Sequence, residues 1–282
     1  MGDTHTRAKR VIGPNRLSPT TTVLTSISAG HCPRDLMPLN IPGILVPFHL
    51  LINPRLVIPA LSVRDIRQLD FVALKAAGYR GAVVDKDNCL TLPHHDELVP
   101  ELTDAWRECR HTFGEGNVLV VSNSAGTPQY DAGGIQAESI SYHLQVPVLR
   151  HNTPKPGYSC IQGVRNYFGS LPDAVKDGEL VVIGDRIFTD VVMANRMKSG
   201  DNGRGPLAIW TSGVWAKEAM GMRWIEKKLV EAVTRSTNGE SQFTTQFLKP
   251  QALEKCNDDP APQPDRPNAD IFEGIWKHLV RK

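Results

Sequence analysis

The chain has no CxxC pair, and its five cysteines, Cys32, Cys89, Cys109, Cys160 and Cys256, are far apart and odd in number. This argues against a zinc site or a disulfide framework and makes a reducing compartment the default. A strong charge excess is also missing. The formal net charge is +2, so nothing demands a nucleic-acid partner. No uninterrupted apolar run reaches the ~18 residues needed to cross a bilayer. The nearest approach, IPGILVPFHLLINPRLVIPAL at 41–61, is broken by Pro42, Pro47, Pro54 and Pro59. Proline inside a helix costs about 3 kcal/mol. The segment therefore suits extended chain packed on the protein, or contact with a membrane surface, better than a spanning helix. There is no internal repeat.

What the chain does have is length and order. Its 282 residues, 40% of them hydrophobic, suffice for one sizeable core with decorations. Residues 1–36 carry Arg7, Lys9, Arg10, Arg16 and Arg34 against Asp3 and Asp35. Such a basic arm reads as disordered or as a mitochondrial targeting segment, and composition does not separate the two. Residues 37–61 form the apolar proline-broken segment and 62–235 the regular domain. A polar, proline-rich linker follows at 236–270, around PAPQPDRP. Residues 271–282, IFEGIWKHLVRK, recover helical periodicity as a short amphipathic helix that docks on the protein or meets a partner or membrane. Apolar segments at both ends make a homo-oligomer plausible.

Within the domain, SVRDIRQLDFVALKAAG predicts a helix with Ser62 as N-cap, Asp65 three positions on, a Leu61–Ile66 staple and a stop at Gly78. YRGAVVD predicts a buried strand ending at Asp85. Residues 96–112 read as helix, NVLVVSNS from Asn117 as strand, and YDAGGIQAESISYHL as loop then helix. VPVLRHNTPKP reads as a third strand running into a loop. Then come a helix at 158–168, the strand ELVVIGD ending at Asp185, the helix TDVVMANRMKS, the strand in PLAIWTSGVW and a helix at 217–235. This alternation predicts an α/β fold, a mostly parallel sheet with helices on both faces. Ligands of such folds bind outside the carboxyl ends of the strands.

Four signals fall at those ends. The first is DKDNC at 85–89. Two carboxylates two residues apart can face one pocket once the chain leaves strand geometry. Asp85 would attack phosphorus, and Asp87 would protonate the leaving oxygen and then activate water. Alone, the pattern is more often an ordinary polar turn or a nonspecific metal site. The second is Ser122 in VLVVSNS, whose hydroxyl can hold a phosphoryl oxygen, with Ser124 an equal candidate. The third is Lys155 in TPKPG, able to neutralise phosphate and orient a carboxylate. Lone lysines are usually solvated, but Pro154 and Pro156 restrict this one. The fourth is VVIGDRIFTD at 181–190, where Asp185 and Asp190 would offer oxygen ligands beside Asp85. Magnesium wants hard oxygen donors. The expected set is Asp85, the backbone carbonyl of Asp87 and Asp185, with Asp190 binding directly or through water.

In this order, each after its own strand, the four signals resemble the layout of the haloacid-dehalogenase phosphatases over about residues 80–215. The resemblance implies a Rossmann-like core and a magnesium-dependent phosphatase working through an aspartyl-phosphate. Cys89 stands where that family usually has Thr or Val. It is small, has no histidine beside it in sequence, and reads as a buried inert thiol.

Many relatives of that fold insert a cap domain. Here the gaps Asn88–Ser122 and Asn123–Lys155 have room for about one helix and one strand each, so no large cap is expected. An open pocket suits a phosphate carried on something large. The stretches NIPGILVPFHLLINPRLVIPALSV, DKDNCLTLP, SNSAGT, HNTPKPG and GDRIFTDVVMANR are together similar to the fungal mitochondrial phosphatidylglycerophosphate phosphatases, over about residues 38–235. That resemblance implies removal of the terminal phosphate from phosphatidylglycerophosphate, ahead of cardiolipin synthesis, at the matrix face of the mitochondrial inner membrane. It makes a phospholipid the substrate and peripheral membrane contact the expected association. Asn123 is a candidate substrate contact, and Arg186 and Arg196 are candidate headgroup or second-phosphate contacts or, equally, surface salt-bridge residues. A protein phosphatase of the same fold, a small-molecule phosphomonoesterase and a non-enzymatic scaffold remain as alternatives. The set Asp85, Asp87, Lys155 and Asp185 argues against the scaffold.

Overall fold

The computed structural model describes residues 53–198, 204–213, 215, 220–237 and 246–250. The arm at 1–36, most of the apolar segment, most of the linker and the helix expected at 271–282 lie outside the described residues.

Five strands form one sheet: β1 (Leu61–Val63), β2 (Gly81–Val84), β3 (Val118–Val120), β4 (Leu180–Gly184) and β5 (Leu207–Thr211). Every pairing is parallel, in the order β1-β5-β4-β2-β3. β2, β3 and β4 are buried along their whole length. Unbroken apolar runs can therefore form them, because both faces are covered.

The period of two assigns alternate residues to two cores. Ala82, Val84, Val118, Val120, Val181 and Ile183 face one core, with α1 (Phe71–Ala76), α2 (Thr103–Phe113) and α3 (Ile135–Leu144). Val83, Leu119, Val121 and Val182 face the other, with α4 (Tyr158–Gly169) and α5 (Val192–Met197). Leu229, Val230 and Val233 of α6 (Met220–Thr237) pack against that second core. Each fully buried Phe, such as Phe71 or Phe168, contributes about 1.5–3 kcal/mol. The chain runs from β2 to β3 on one side, then crosses to β4 on the other. The reversal at β2 opens a crevice outside its carboxyl end.

Two expectations are corrected. The stretch from Ser62 does not begin as helix. Leu61 and Val63 pair with Ile209 and Thr211 as the edge strand β1, and the helical signal starts later. Asp65 caps a short 3-10 turn, Ile66–Gln68, and Asp70 caps α1 by accepting from the Ala73 amide at 2.8 Å. Each cap is worth about 1 kcal/mol. VPVLRHNTPKP is likewise no strand. It makes one bridge, Val120 with Val148. Pro147 lacks an N–H and supplies only its carbonyl to Val120, so the ladder does not propagate.

Two pieces outside the expected domain pack onto it. Val57 is fully buried, and Asn195 of α5 donates to the carbonyls of Leu56 and Ile58 at 2.8 and 3.0 Å. Within the expected linker, Phe247 is buried and stacks edge-on with Tyr79, and its carbonyl takes the Asp70 amide. No helix among the described residues is long and apolar enough to cross a membrane. The connection from β2 to β3 holds α2, and that from Asn123 to Lys155 holds α3. Neither gap contains a cap domain.

Candidate active site

A turn directly after β2 fixes Asp85. The Lys86 carbonyl accepts from the amides of Cys89, Leu90 and Thr91 at 3.3, 2.9 and 3.0 Å. Its side chain is fully buried, donating to the His95 carbonyl at 2.9 Å and pairing with Asp87 at 2.7 Å. Asp87 also accepts from the His94 amide at 3.0 Å and the Ser124 hydroxyl at 3.3 Å. Both carboxylates of DKD thus face one pocket of about 610 Å³, open at the strand ends.

Lys155 comes from the loop between α3 and α4 and is 2% exposed. Its ammonium lies 2.7 Å from Asp85, 2.7 Å from Asp190 and 2.7 Å from the Val121 carbonyl. Burial alone would lower its pKa, but the charges of Asp190 and Asp85 outweigh burial and hold it well above the ordinary lysine value. Asn123 clamps the loop, taking the Lys155 amide at 2.6 Å and giving to its carbonyl at 3.3 Å. Arg196 donates to the Pro156 carbonyl at 2.7 Å from behind.

Asp185 follows β4. Asp190 sits in a single π turn, Ile187–Val191, and accepts from the Arg186 amide at 3.1 Å. Gly184 makes this possible, because a Cβ there would lie inside the Asp190 carboxyl group. One oxygen each of Asp85, Asp185 and Asp190 fall within 4.8 Å of one another. Burial, then the neighbouring Asp85 charge, raises Asp185 well above the usual carboxylate range. Burial also raises Asp85, against the opposing pull of Lys155. The three carboxylates meet two cations, Lys155 and Arg223, the latter paired with Asp185. Three hard oxygen donors with one uncompensated negative charge fit magnesium. The Asp87 carboxylate stands apart from that cluster, on Lys86.

The structure brings together Asp85, Asp87, Asn123, Lys155, Asp185 and Arg186 as pocket wall. Asp190 lies behind Lys155. Ser122 is fully buried; its hydroxyl takes the Ser124 amide at 3.1 Å and lies 2.9 Å from the Ser124 hydroxyl, while Ser124 reaches the wall. Arg196 is not in the wall. It supports the Lys155 loop and lies 5.5 Å from the Tyr158 ring centroid. Cys89 is buried, and burial with the Asp85 and Asp185 charges pushes its thiol pKa far up, as suits an inert thiol.

Four residues escaped the sequence reading. Lys86 holds Asp87. His151 is buried, with its ring nitrogens 2.7 Å from the Thr153 carbonyl and 2.9 Å from the Ser122 carbonyl, so it ties the second and third signals together. Arg223 and the buried Glu226 reach the site from α6. Periodicity gave no hint of the last two, since charges on an amphipathic helix read as a solvated face.

The family model described as mitochondrial PGP phosphatase matches residues 41–203. A chloroplastic phosphatidylglycerophosphate phosphatase of Chlamydomonas reinhardtii is 42% identical over 144 residues, 51% of this chain and 51% of that protein. A chloroplastic/mitochondrial phosphatidylglycerophosphate phosphatase of Arabidopsis thaliana is 36% identical over 56% of this chain and 44% of its own length. The match thus spans about half the length of these two plant-lineage relatives. A mitochondrial phosphatidylglycerophosphatase of Saccharomyces cerevisiae is 34% identical over 68% of this chain and 97% of its own length. No solved structure matches the chain. The family match covers more than half of the chain and includes Asp85, Asp87, Asp185 and Asp190, and the yeast relative is covered almost end to end: the chain belongs to the mitochondrial PGP phosphatase family.

Proposed function

We propose that the chain hydrolyses phosphatidylglycerophosphate to phosphatidylglycerol and phosphate through an aspartyl-phosphate on Asp85, in the manner of the haloacid-dehalogenase phosphatases. The observation that carries this is the shared ammonium of Lys155, 2.7 Å from both Asp85 and Asp190, beside Asp185 at the sheet's switch point. The relatives named above support the lipid substrate, and the lack of a cap domain in either gap among the described residues is compatible with a headgroup presented at a bilayer. The yeast relative is named mitochondrial. We place the reaction at the matrix face of the inner membrane, ahead of cardiolipin synthesis.

Lys155 holds Oδ1 of Asp85 and orients Oδ2 for attack on phosphorus. The bond from phosphorus to the glycerol oxygen breaks as the bond to Asp85 forms, and Asp87 gives its proton to the leaving oxygen. Ser124, whose hydroxyl is held by that of Ser122, and Lys155 hold the phosphoryl oxygens, over which charge spreads. Water then attacks the same phosphorus and yields its proton to Asp87, restoring the Asp85 carboxylate. Asp85, Asp185 and Asp190 would hold magnesium, with the backbone carbonyl of Asp87 as a further ligand; when bound it supplies positive charge to the phosphoryl oxygens.

The test is phosphate release from phosphatidylglycerophosphate in mixed micelles with magnesium, beside a phosphopeptide and glycerol-3-phosphate. Selective lipid turnover, lost on chelation and in Asp85→Asn, is expected. Equal turnover of the soluble phosphates would overturn the lipid assignment.

A further inference from the structure

Two guanidinium groups stand in the pocket wall besides the Lys155 ammonium that serves the phosphomonoester. Arg186 follows β4, and Arg223 comes from α6. Arg223 uses one amino group on the Asp185 carboxylate, and another reaches the Asp185 carbonyl only at 3.5 Å. Its Nε is buried without a hydrogen-bond partner among the described residues. The Arg186 Nε is also buried without one, standing 3.6 Å from Glu226. Arginine cannot shed its charge, and its fork of donors matches phosphate. The cavity of about 610 Å³ has the size of a site for a whole small ligand, roughly 300–1,000 Å³, rather than for one phosphate.

We propose that Arg223 and Arg186 form a second anion subsite for the phosphodiester of the headgroup. Arg223 is then the residue that favours substrates carrying two phosphates over those carrying one. The subsite rests on the function proposed above. Lys155 and the carboxylate cluster serve the phosphate that is cleaved, and the two arginines hold the phosphate that stays. Glu226 is 1% exposed in its side chain and accepts from the Phe188 amide at 3.3 Å. Its carboxylate stands 3.6 Å from the Arg186 Nε, while the Arg186 side chain, 35% exposed, lines the pocket.

The experiment compares the native chain with Arg223→Gln on phosphatidylglycerophosphate in mixed micelles and on p-nitrophenyl phosphate. The ratio of kcat/KM for the lipid to that for the nitrophenyl ester should fall about tenfold, mainly through KM, the size expected for one charge-assisted contact. A role confined to holding Asp185 would instead lower both substrates alike and raise the magnesium requirement for both, which would overturn the subsite. Calorimetry with glycerophosphoglycerol, a diester without a monoester, gives a readout free of turnover. The native chain should bind it, and Arg223→Gln about tenfold more weakly. If the native chain hydrolyses the lipid but does not bind the diester, the subsite falls and the function stands. If it binds the diester but hydrolyses no lipid, the subsite stands and the function falls.

Discussion

Lys155 and Asp85 lie 70 residues apart in the chain and 2.7 Å apart in space. The same ammonium also satisfies Asp190 and the Val121 carbonyl. Lys155→Met would leave the Asp85 and Asp190 carboxylates without the cation they share and the Val121 carbonyl without this donor. It should cost about 3–5 kcal/mol of stability, read by urea denaturation, and lower turnover at least about a hundredfold. Unchanged stability would show that water replaces the ammonium and that the pair is not structural.

Removing one carboxylate from the cluster should act the other way on stability. Asp85→Asn leaves Lys155 paired with Asp190 and Arg223 with Asp185, so charges balance. In chelator, its Tm should exceed that of the native chain by about 2–4 °C, roughly 1 kcal/mol, although turnover is abolished. Magnesium should raise the native Tm more than the variant's. A lower variant Tm in chelator would mean that the Asp85–Lys155 contact outweighs repulsion within the cluster.

In the proposed mechanism Asp87 acts on the leaving oxygen, so its importance should scale with the leaving group. Asp87→Asn should slow the lipid alcohol by about 10²–10⁴ and p-nitrophenyl phosphate far less, since that phenolate leaves without a proton. Equal losses on both would place Asp87 in binding rather than proton transfer.

Gly184→Ala puts a methyl group where the Asp190 carboxyl now sits. Overpacking of this kind costs about 1–3 kcal/mol. The expected signature is a higher magnesium requirement, since Asp190 must move. A variant with native magnesium dependence would remove Asp190 from the cation site.

Asp65 is a linkage test away from the site. It is buried and held by the Arg67 amide and guanidinium at 2.7–2.9 Å. Burial pushes its pKa up, but the Arg67 bonds outweigh this and leave it below the ordinary value. A depressed carboxylate gives stability that is present above the unfolded pKa and is lost as pH falls through the folded one. Asp65→Asn should therefore cost about 1 kcal/mol at pH 7, with the difference closing below about pH 4. A constant difference across pH would mean that shape, not charge, holds this turn.

Much of the site was legible because β2 and β4 are continuous apolar runs that stop at an acid, the one pattern in which a parallel strand announces its own carboxyl end. Ser62 misled because Leu61–Val63 is too short for a period of two to be told from helix, and because Asp65 is a real cap of a different turn. The run from Val146 misled because β propensity says nothing about an available partner, and Pro147 blocks the ladder. Arg223 and Glu226 were invisible for another reason. Their burial depends on α6 lying across Arg186–Phe188, a relation between segments that no local pattern encodes.

The sheet order also bears on how the protein comes into being. With every pair of the described strands parallel, the sheet holds no hairpin that could form early, and β2 must wait for β4 while β1 waits for β5. Loop closure precedes each such contact, which makes assembly slow and non-local. Asp85, Lys155 and the pair Asp185 and Asp190 lie on three separate segments that meet only when the middle of the sheet zips. A nascent chain that ends before β4 carries Asp85 and Lys155 but lacks Asp185 and Asp190, so catalytic competence arrives with the completed fold and not with any fragment of it.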